Sequence, residues 1–356
     1  MNRDPILFRV DASPEAGYER LGRCLTFAAA LQRRRRPTYF LSQLDPRPLG
    51  LAVKRAGSDW LEADGPAGCA EDLDELITEI RRLRPSAVIV DGPCVTEGYL
   101  NAVRQTGTFV ACLDHGAAIR FGCHLVVNPL LAPSKEAYEV AAGTQYLLGP
   151  RYALVRPEIR RTRPTRSQEP PAPFSALVGL GDGATPEKLI ELSRTLLNVP
   201  RLERVDLVLR AEQAAVPELQ SFAAAHPEKV KLAVEPNEVV SRLSRCHFAV
   251  TGGGSFSLEL ACVGVPQLLI VQSESLWTTA QRLEEEGAAT CVGSQESASP
   301  ANIRQVAHQL LNDPLERRAM ARCGRQLIDG RGPDRLVTAL EVMLHPSREV
   351  RLADVA

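Results

Sequence analysis

The sequence has no appreciable excess of charge of either sign. Its 42 lysines and arginines stand against 43 aspartates and glutamates, a formal net charge of -1. No global field draws it to nucleic acid or to an acidic membrane surface. Long apolar runs are absent too. None approaches the ~20 residues that a membrane helix requires, so no integral membrane segment is expected. A basic segment followed by an apolar stretch is missing at the start, where the chain runs straight into the apolar Ile6–Val10. That excludes a signal-peptide pattern, and the expectation is a cytoplasmic protein. The nine cysteines are scattered and repeat no spacing, so they read as reduced thiols in strands and helices rather than a disulfide framework. No Gly-x-Ser-x-Gly elbow occurs, and no Gly-Lys-Ser/Thr follows the glycine clusters. A serine hydrolase of that type and a strict P-loop are excluded.

What remains is ordinary in composition, with 44% hydrophobic and 24% charged residues. A length of 356 residues favours two domains, each with its own core. The first half alternates strand and helix patterns. Strands are expected at 6–10, 38–41, 87–90, 109–113 and 125–127, with helices at 22–31, 70–83 and 97–105. Polar residues recur just beyond the strand ends: Asp11, Asp91, Asp114 and Asn128. In an open parallel sheet that edge is where ligands bind. The stretch from Arg160 to Pro173, rich in Arg, Thr, Ser and Pro, reads as a linker. A second alternating series follows, with strands at 174–178, 205–209, 230–233, 248–250 and 267–271. Its helices are expected at 187–197, 216–225, 238–244, 257–262, 278–286, 300–311, 315–327 and 335–344.

The expected fold class is therefore α/β, with two Rossmann-like domains facing across a cleft. The first would span residues 1–165 and the second 166–345. The last helices are expected to brace the first domain, and a poorly ordered tail is expected over 346–356.

The most informative segment is Phe248-Ala249-Val250-Thr251-Gly252-Gly253-Gly254-Ser255-Phe256-Ser257-Leu258-Glu259. An apolar strand feeds three glycines and then a helix. A helix start leaves backbone N–H groups unpaired, and its dipole adds partial positive charge, so a phosphate is a natural guest. Glycine lets that phosphate approach the backbone. Glu259 is expected about two helical turns inside, on the side where an attached ribose could be reached. The alternative is a tight turn, but three glycines and two serines exceed what a turn requires.

Other signals favour plainer readings. Gly179-Leu180-Gly181-Asp182-Gly183-Ala184 matches a dinucleotide fingerprint, yet the acidic residue downstream, Asp206, is expected to open its strand rather than end it, which disfavours NAD or FAD. Cys112, His115, Cys123 and His124 do not have the usual spacing of a zinc site. No metal and no cofactor are expected. The basic run Arg33–Arg36 follows a helix end, where cations complement the dipole, and no interleaved aromatics support an RNA surface.

Four stretches together carry a family resemblance over roughly Ile6 to Leu340. The first is Phe8-Arg9-Val10-Asp11-Ala12-Ser13 with Gly17-Tyr18-Glu19-Arg20-Leu21-Gly22-Arg23. The second runs through Asp91, Asp114, Asn128-Pro129 and Gly149-Pro150-Arg151-Tyr152-Ala153-Leu154-Val155-Arg156. The third is Thr251 to Pro266. The fourth comprises Gln272, Ala280-Gln281-Arg282-Leu283, Gly287-Ala288 and Ile328-Asp329-Gly330-Arg331-Gly332 with Arg335. The sequence resembles the UDP-sugar hydrolase of pseudaminic acid biosynthesis and its SpsG-like spore-coat-polysaccharide relatives. These proteins have the GT-B fold and look like the bacterial transferase that makes lipid II.

The resemblance implies a UDP-sugar or related nucleotide sugar as partner, in surface-glycan synthesis, with hydrolysis or glycosyl transfer as the reaction. It makes the first domain the sugar or acceptor side and the second the nucleotide-binding side, with Gly252, Gly253, Gly254 and Ser255 at the pyrophosphate, Glu259 on the ribose hydroxyls, and Ser257, Gln272 and Gln281 in the same nucleotide site. Gly17, Arg20, Arg23, Asp91, Asn128 and Tyr152 are the implied substrate contacts. One departure is chemical. The family's Gly-x-Gly-His-x-x-Arg loop supplies a histidine base, and here that position is Arg20. Arginine stays protonated and cannot serve as a base near neutral pH. The remaining candidates are His115, Glu19, Asp11 and Asp114, with His115 first because imidazole titrates in the useful range. A catalytically silent nucleotide-sugar-binding relative is the alternative reading.

Overall fold

The computed structural model describes residues 3–114, 116–131, 134–166, 169–181, 183–234 and 236–345. His115, Asp182 and the tail over 346–356 lie outside the described residues. The chain divides into two units, one built from Met1–Leu154 with Arg331–Ala356 and the other from Val155–Gly330.

The first unit runs β1 (Ile6–Val10), α1 (Glu19–Arg33), β2 (Thr38–Ser42), α2 (Leu49–Arg55), β3 (Asp59–Glu62), α3 (Ala70–Leu83), β4 (Ala87–Asp91), α4 (Glu97–Arg104), β5 (Phe109–Leu113), β6 (Leu125–Asn128) and β7 (Gln145–Leu148). Its seven strands form one sheet in the order β3-β2-β1-β4-β5-β6-β7. Every pair is parallel. All five residues of β1 and of β4 are buried, as a strand covered on both faces requires. Phe8 stacks on Phe40 at 4.7 Å and meets Phe27 edge-on at 6.0 Å, in the core under α1.

The second unit runs α5 (Pro157–Arg160), β8 (Phe174–Gly179), α6 (Pro186–Leu197), β9 (Leu202–Val208), α7 (Ala211–Ala214), α8 (Pro217–Ala225), β10 (Val230–Ala233), α9 (Pro236–Leu243), β11 (Phe248–Thr251), α10 (Ser255–Val263), β12 (Gln267–Val271), α11 (Trp277–Glu285), β13 (Thr290–Ser294), α12 (Pro300–Asn312) and α13 (Pro314–Leu327). Its six strands are again all parallel, in the order β10-β9-β8-β11-β12-β13. The last helix, α14 (Gly332–Leu344), belongs to the first unit. Leu336, Val337, Ala339 and Leu340 enter the same core as Phe8 and Phe27. Gly332 permits this packing, because a Cβ there would stand 2.2 Å from the Ala153 carbonyl oxygen.

Two expectations need correction. The division falls at Leu154/Val155, not after residue 165, and the segment read as a linker is bound into the second unit. Arg163 donates to the carbonyls of Cys262, Ile328 and Arg325, and Arg166 to those of Gly264 and Leu243. These carbonyls end helices α9, α10 and α13, where cationic donors satisfy both the orphan acceptors and the dipole. Arginine in this stretch therefore fastens the chain rather than solvating it. The second correction concerns strands. β3, β7 and β13 were not expected from sequence, and all three are sheet edges.

Candidate functional site

In both sheets the strand order reverses direction beside the first strand, between β1 and β4 and between β8 and β11. Such a switch point opens a crevice outside the carboxyl ends of the strands. In the second unit the glycine loop occupies it. Gly252 follows β11 and packs so closely that an added Cβ would meet the Leu180 carbonyl oxygen at 2.9 Å and Gln272 Cγ at 2.7 Å. Gly253 has φ +85°, a conformation that favours glycine. Gly254 is the extended N-cap of α10 and has no side chain to satisfy the helix's first N–H groups.

A buried knot holds the loop from below. Ser257 Oγ accepts from the Gly253 N–H at 3.1 Å and pairs with Thr251 Oγ1 at 2.8 Å. Gln267 Nε2 donates to the Ser257 carbonyl at 3.0 Å. Ser257 is fully buried, and its hydroxyl holds the loop in shape. Ser255 is half-buried at the helix start. Gln272 lies against Gly252 and donates to the Ile270 carbonyl, and its buried Oε1 has no hydrogen-bond partner among the described residues. Gln281 is exposed on α11.

Glu259 is 4% exposed and sits about one turn inside α10, closer to the loop than expected. Its carboxylate is already engaged. Oε1 accepts from the Arg156 backbone N–H at 3.0 Å and from Nε at 2.9 Å, and Oε2 accepts from Nη2 at 2.7 Å and from Nε at 3.1 Å. Burial opposes the charge on Arg156, but Glu259 more than offsets it and the guanidinium pKa is raised. A ribose held by Glu259 would share the carboxylate with this fork.

The polar residues expected at the first sheet's edge are present there, each in a closed set of bonds. Asp11 pairs through Oδ1 with Nη1 of the fully buried Arg9, and accepts the N–H groups of Gln43 at 2.8 Å and Ala67 at 2.6 Å. Arg9 also binds Asp72, whose Oδ2 accepts from Tyr99 at 2.7 Å. Asp91 accepts from Arg23 Nε and Nη2, both at 2.5 Å, and Arg20 Nε stands 3.7 Å from it. Burial and the Asp91 charge act oppositely on Arg23, and its pKa rises. Asp114 Oδ2 accepts from the Gly116 and Ala117 N–H groups and from Tyr138 at 2.8 Å, and Asn128 donates to the same Tyr138 oxygen. Gly17 closes the loop before α1, with φ +76° and its N–H on the Ser13 carbonyl at 2.8 Å. Glu19 is exposed in the first turn of α1, and Tyr152 packs on the core. The structure thus joins Arg20, Arg23 and Asp91 in one cluster and Asp114 and Asn128 in another. His115 lies outside the described residues.

No family model matches the chain. The spore coat polysaccharide biosynthesis protein SpsG of Bacillus subtilis (strain 168) is 25% identical over 239 residues, which is 64% of this chain and 67% of SpsG. Among solved structures, MurG of Acinetobacter baumannii aligns over 95% of this chain and 99% of its own, with TM-score 0.63 and 17% identity. The spinosyn rhamnosyltransferase SpnG, complexed with thymidine diphosphate, covers 95% and 100%, with TM-score 0.63 and 16% identity. The S. aureus MnaA–UDP co-structure covers 96% and 97%, with TM-score 0.63 and 14% identity. This chain has the GT-B fold and is similar to SpsG.

Other groups of this chain were not legible in the sequence. Arg156 was visible only as the end of a motif, because its partner lies 103 residues away. Arg9, inside an apolar strand, is anomalous in sequence, and a cation there demands buried carboxylates. That signal was available, whereas the identity of its partner Asp72 was not. Among the described residues, no group of three or more His, Cys, Asp or Glu gathers as a metal site. Cys112 and Cys123 donate to the Leu113 and Leu125 carbonyls, and His124 Nδ1 accepts from the Val110 N–H at 2.9 Å. Asp206 lies within β9 rather than at its start, fully buried, with Arg204 at 3.2 Å and Arg242 at 3.6 Å. No helix among the described residues is long and apolar enough to cross a membrane.

Proposed function

We propose that the chain binds a nucleotide sugar, with UDP as its nucleotide, at the glycine loop of the second unit and acts in glycan biosynthesis in the cytoplasm. The observation that carries this reading is the side-chain-free N-terminus of α10 set at the β8/β11 switch point, with Glu259 and Arg156 one turn away. The pyrophosphate meets the Gly252–Ser255 backbone, and the ribose meets Glu259. SpsG, named for spore coat polysaccharide biosynthesis, supports the biological setting, and the UDP and thymidine diphosphate complexes support the ligand class.

The reaction is hydrolysis or transfer of the sugar. A specific observation favours a second reading, that of a silent binding relative. Asp11, Asp91 and Asp114 are each tied to cationic or backbone donors, and Arg20 stands where a base is expected. Titration calorimetry with UDP, TDP, GDP and CMP sugars tests the ligand, and a loss of preference for UDP would remove the assignment. Turnover of the bound sugar then separates the two readings. If the parent is inert and Arg20→His alone releases UDP, the silent relative is correct.

A further inference from the structure

A second cavity in the Val155–Gly330 unit has no place in the reading above. It encloses about 510 Å³ and lies by His247 and Pro266, the residues that lead into β11 and β12. That is the amino edge of the sheet. The glycine loop is at the carboxyl edge, about 13 Å away along a four-residue strand.

Six arginines line the cavity, Arg163, Arg166, Arg317, Arg318, Arg322 and Arg325, against a single carboxylate, Glu169. Half of them have a structural explanation. Arg163 and Arg166 satisfy the helix-end carbonyls already described. Arg317 donates to the Leu310 and Leu311 carbonyls at the end of α12, at 2.5 and 2.6 Å, and to Glu169. The other three exceed this need. Arg318 stands 4.0 Å from Glu169, whose carboxylate already serves Arg317. Arg322 has no hydrogen-bond or ion-pair partner among the described residues, and it is exposed. Arg325 gives one N–H to the Arg166 carbonyl at 3.1 Å. The spacing of 318, 322 and 325 puts all three on one face of α13. Burial, followed by the charges of Arg163 and Arg166, pushes the Arg325 guanidinium pKa down. The cavity therefore holds positive charge that the protein does not neutralise.

We infer that this cavity binds a small phosphorylated metabolite, separately from the nucleotide at the glycine loop. Guanidinium groups form paired hydrogen bonds with phosphate oxygens that no ammonium reproduces. A volume of about 510 Å³ accommodates an organic body as well as the phosphate. Gly264, Pro266 and Ala321 supply apolar lining for that body.

The test is titration of the full chain with inorganic pyrophosphate at about 0.15 M salt, where long-range attraction is screened. Three proteins are compared: the parent, Arg318→Gln/Arg322→Gln, and Arg34→Gln/Arg81→Gln, which removes equal charge from exposed sites of the first unit. The parent and the Arg34/Arg81 variant are expected to bind alike. The Arg318/Arg322 variant is expected to lose one of the parent's binding events or to weaken it at least about tenfold, any pyrophosphate at the glycine loop being retained, with an unchanged melting midpoint in the absence of ligand. The inference is overturned if the parent does not bind, if the Arg318/Arg322 variant binds with the parent's affinity and stoichiometry, or if both variants weaken equally.

Discussion

Glu259 and Arg9 show how differently two buried charges can be used. Glu259 faces one partner, Arg156, whose guanidinium remains about a third exposed, so the pair stands at an accessible edge. Arg9 is wholly buried between Asp11 and Asp72, where no solvent replaces a lost partner. Glu259→Ala should weaken UDP binding by about 1–3 kcal/mol, the cost of losing a charged hydrogen bond to ribose. Calorimetry checks this, and an unchanged affinity would remove Glu259 from the ribose site. Arg9→Met should instead destabilise the fold by about 3–5 kcal/mol, because two buried carboxylates lose their shared cation. Urea unfolding of parent and variant measures it, and a loss below 1 kcal/mol would contradict the role assigned to Arg9.

At the scale of elements, His124 ties three strands together. Its N–H donates to the Val110 carbonyl, its carbonyl accepts from the Gln145 N–H, and its ring Nδ1 accepts from the Val110 N–H. A protonated ring cannot accept that last bond. Burial, then the charge of Arg104, lowers the His124 pKa below its usual value. The unfolded chain therefore takes up the proton more readily than the folded one. Stability contributed above a pH of about 6.5 is lost as pH falls through and below that value. Urea unfolding at pH 7.5 and 5.5 should show the parent losing more stability than His124→Gln over the same interval. Equal losses would mean that this ring carries no pH dependence.

The whole molecule is two parallel sheets whose chain assignments are not sequential, since α14 completes the first unit after the second has been made. Leu340→Ala should cost about 2–5 kcal/mol in the core it shares with Phe8 and Phe27. Hydrogen exchange should place the loss of protection in residues 6–154, leaving 174–327 as protected as in the parent. A uniform loss would show that the two units unfold as one.

The alternation of apolar strands with amphipathic helices determined the fold class by itself. A strand covered on both faces must read as a continuous apolar run, and β1, β5 and β12 were legible to the residue for that reason. Edge strands have no such obligation. Asp59–Glu62 is half exposed, and Thr290–Ser294 only partly buried, so neither announces itself. The glycine loop was legible because its backbone conformation restricts side chains directly. The partners of its neighbours were not. Glu259 reads as a free carboxylate until Arg156 is brought to it, and Asp11 as a candidate base until Arg9 and two loop amides surround it. Sequence specifies which groups are charged, but only the tertiary structure decides which charges find each other. In a low-dielectric edge, that pairing decides whether a carboxylate holds the fold or faces a ligand.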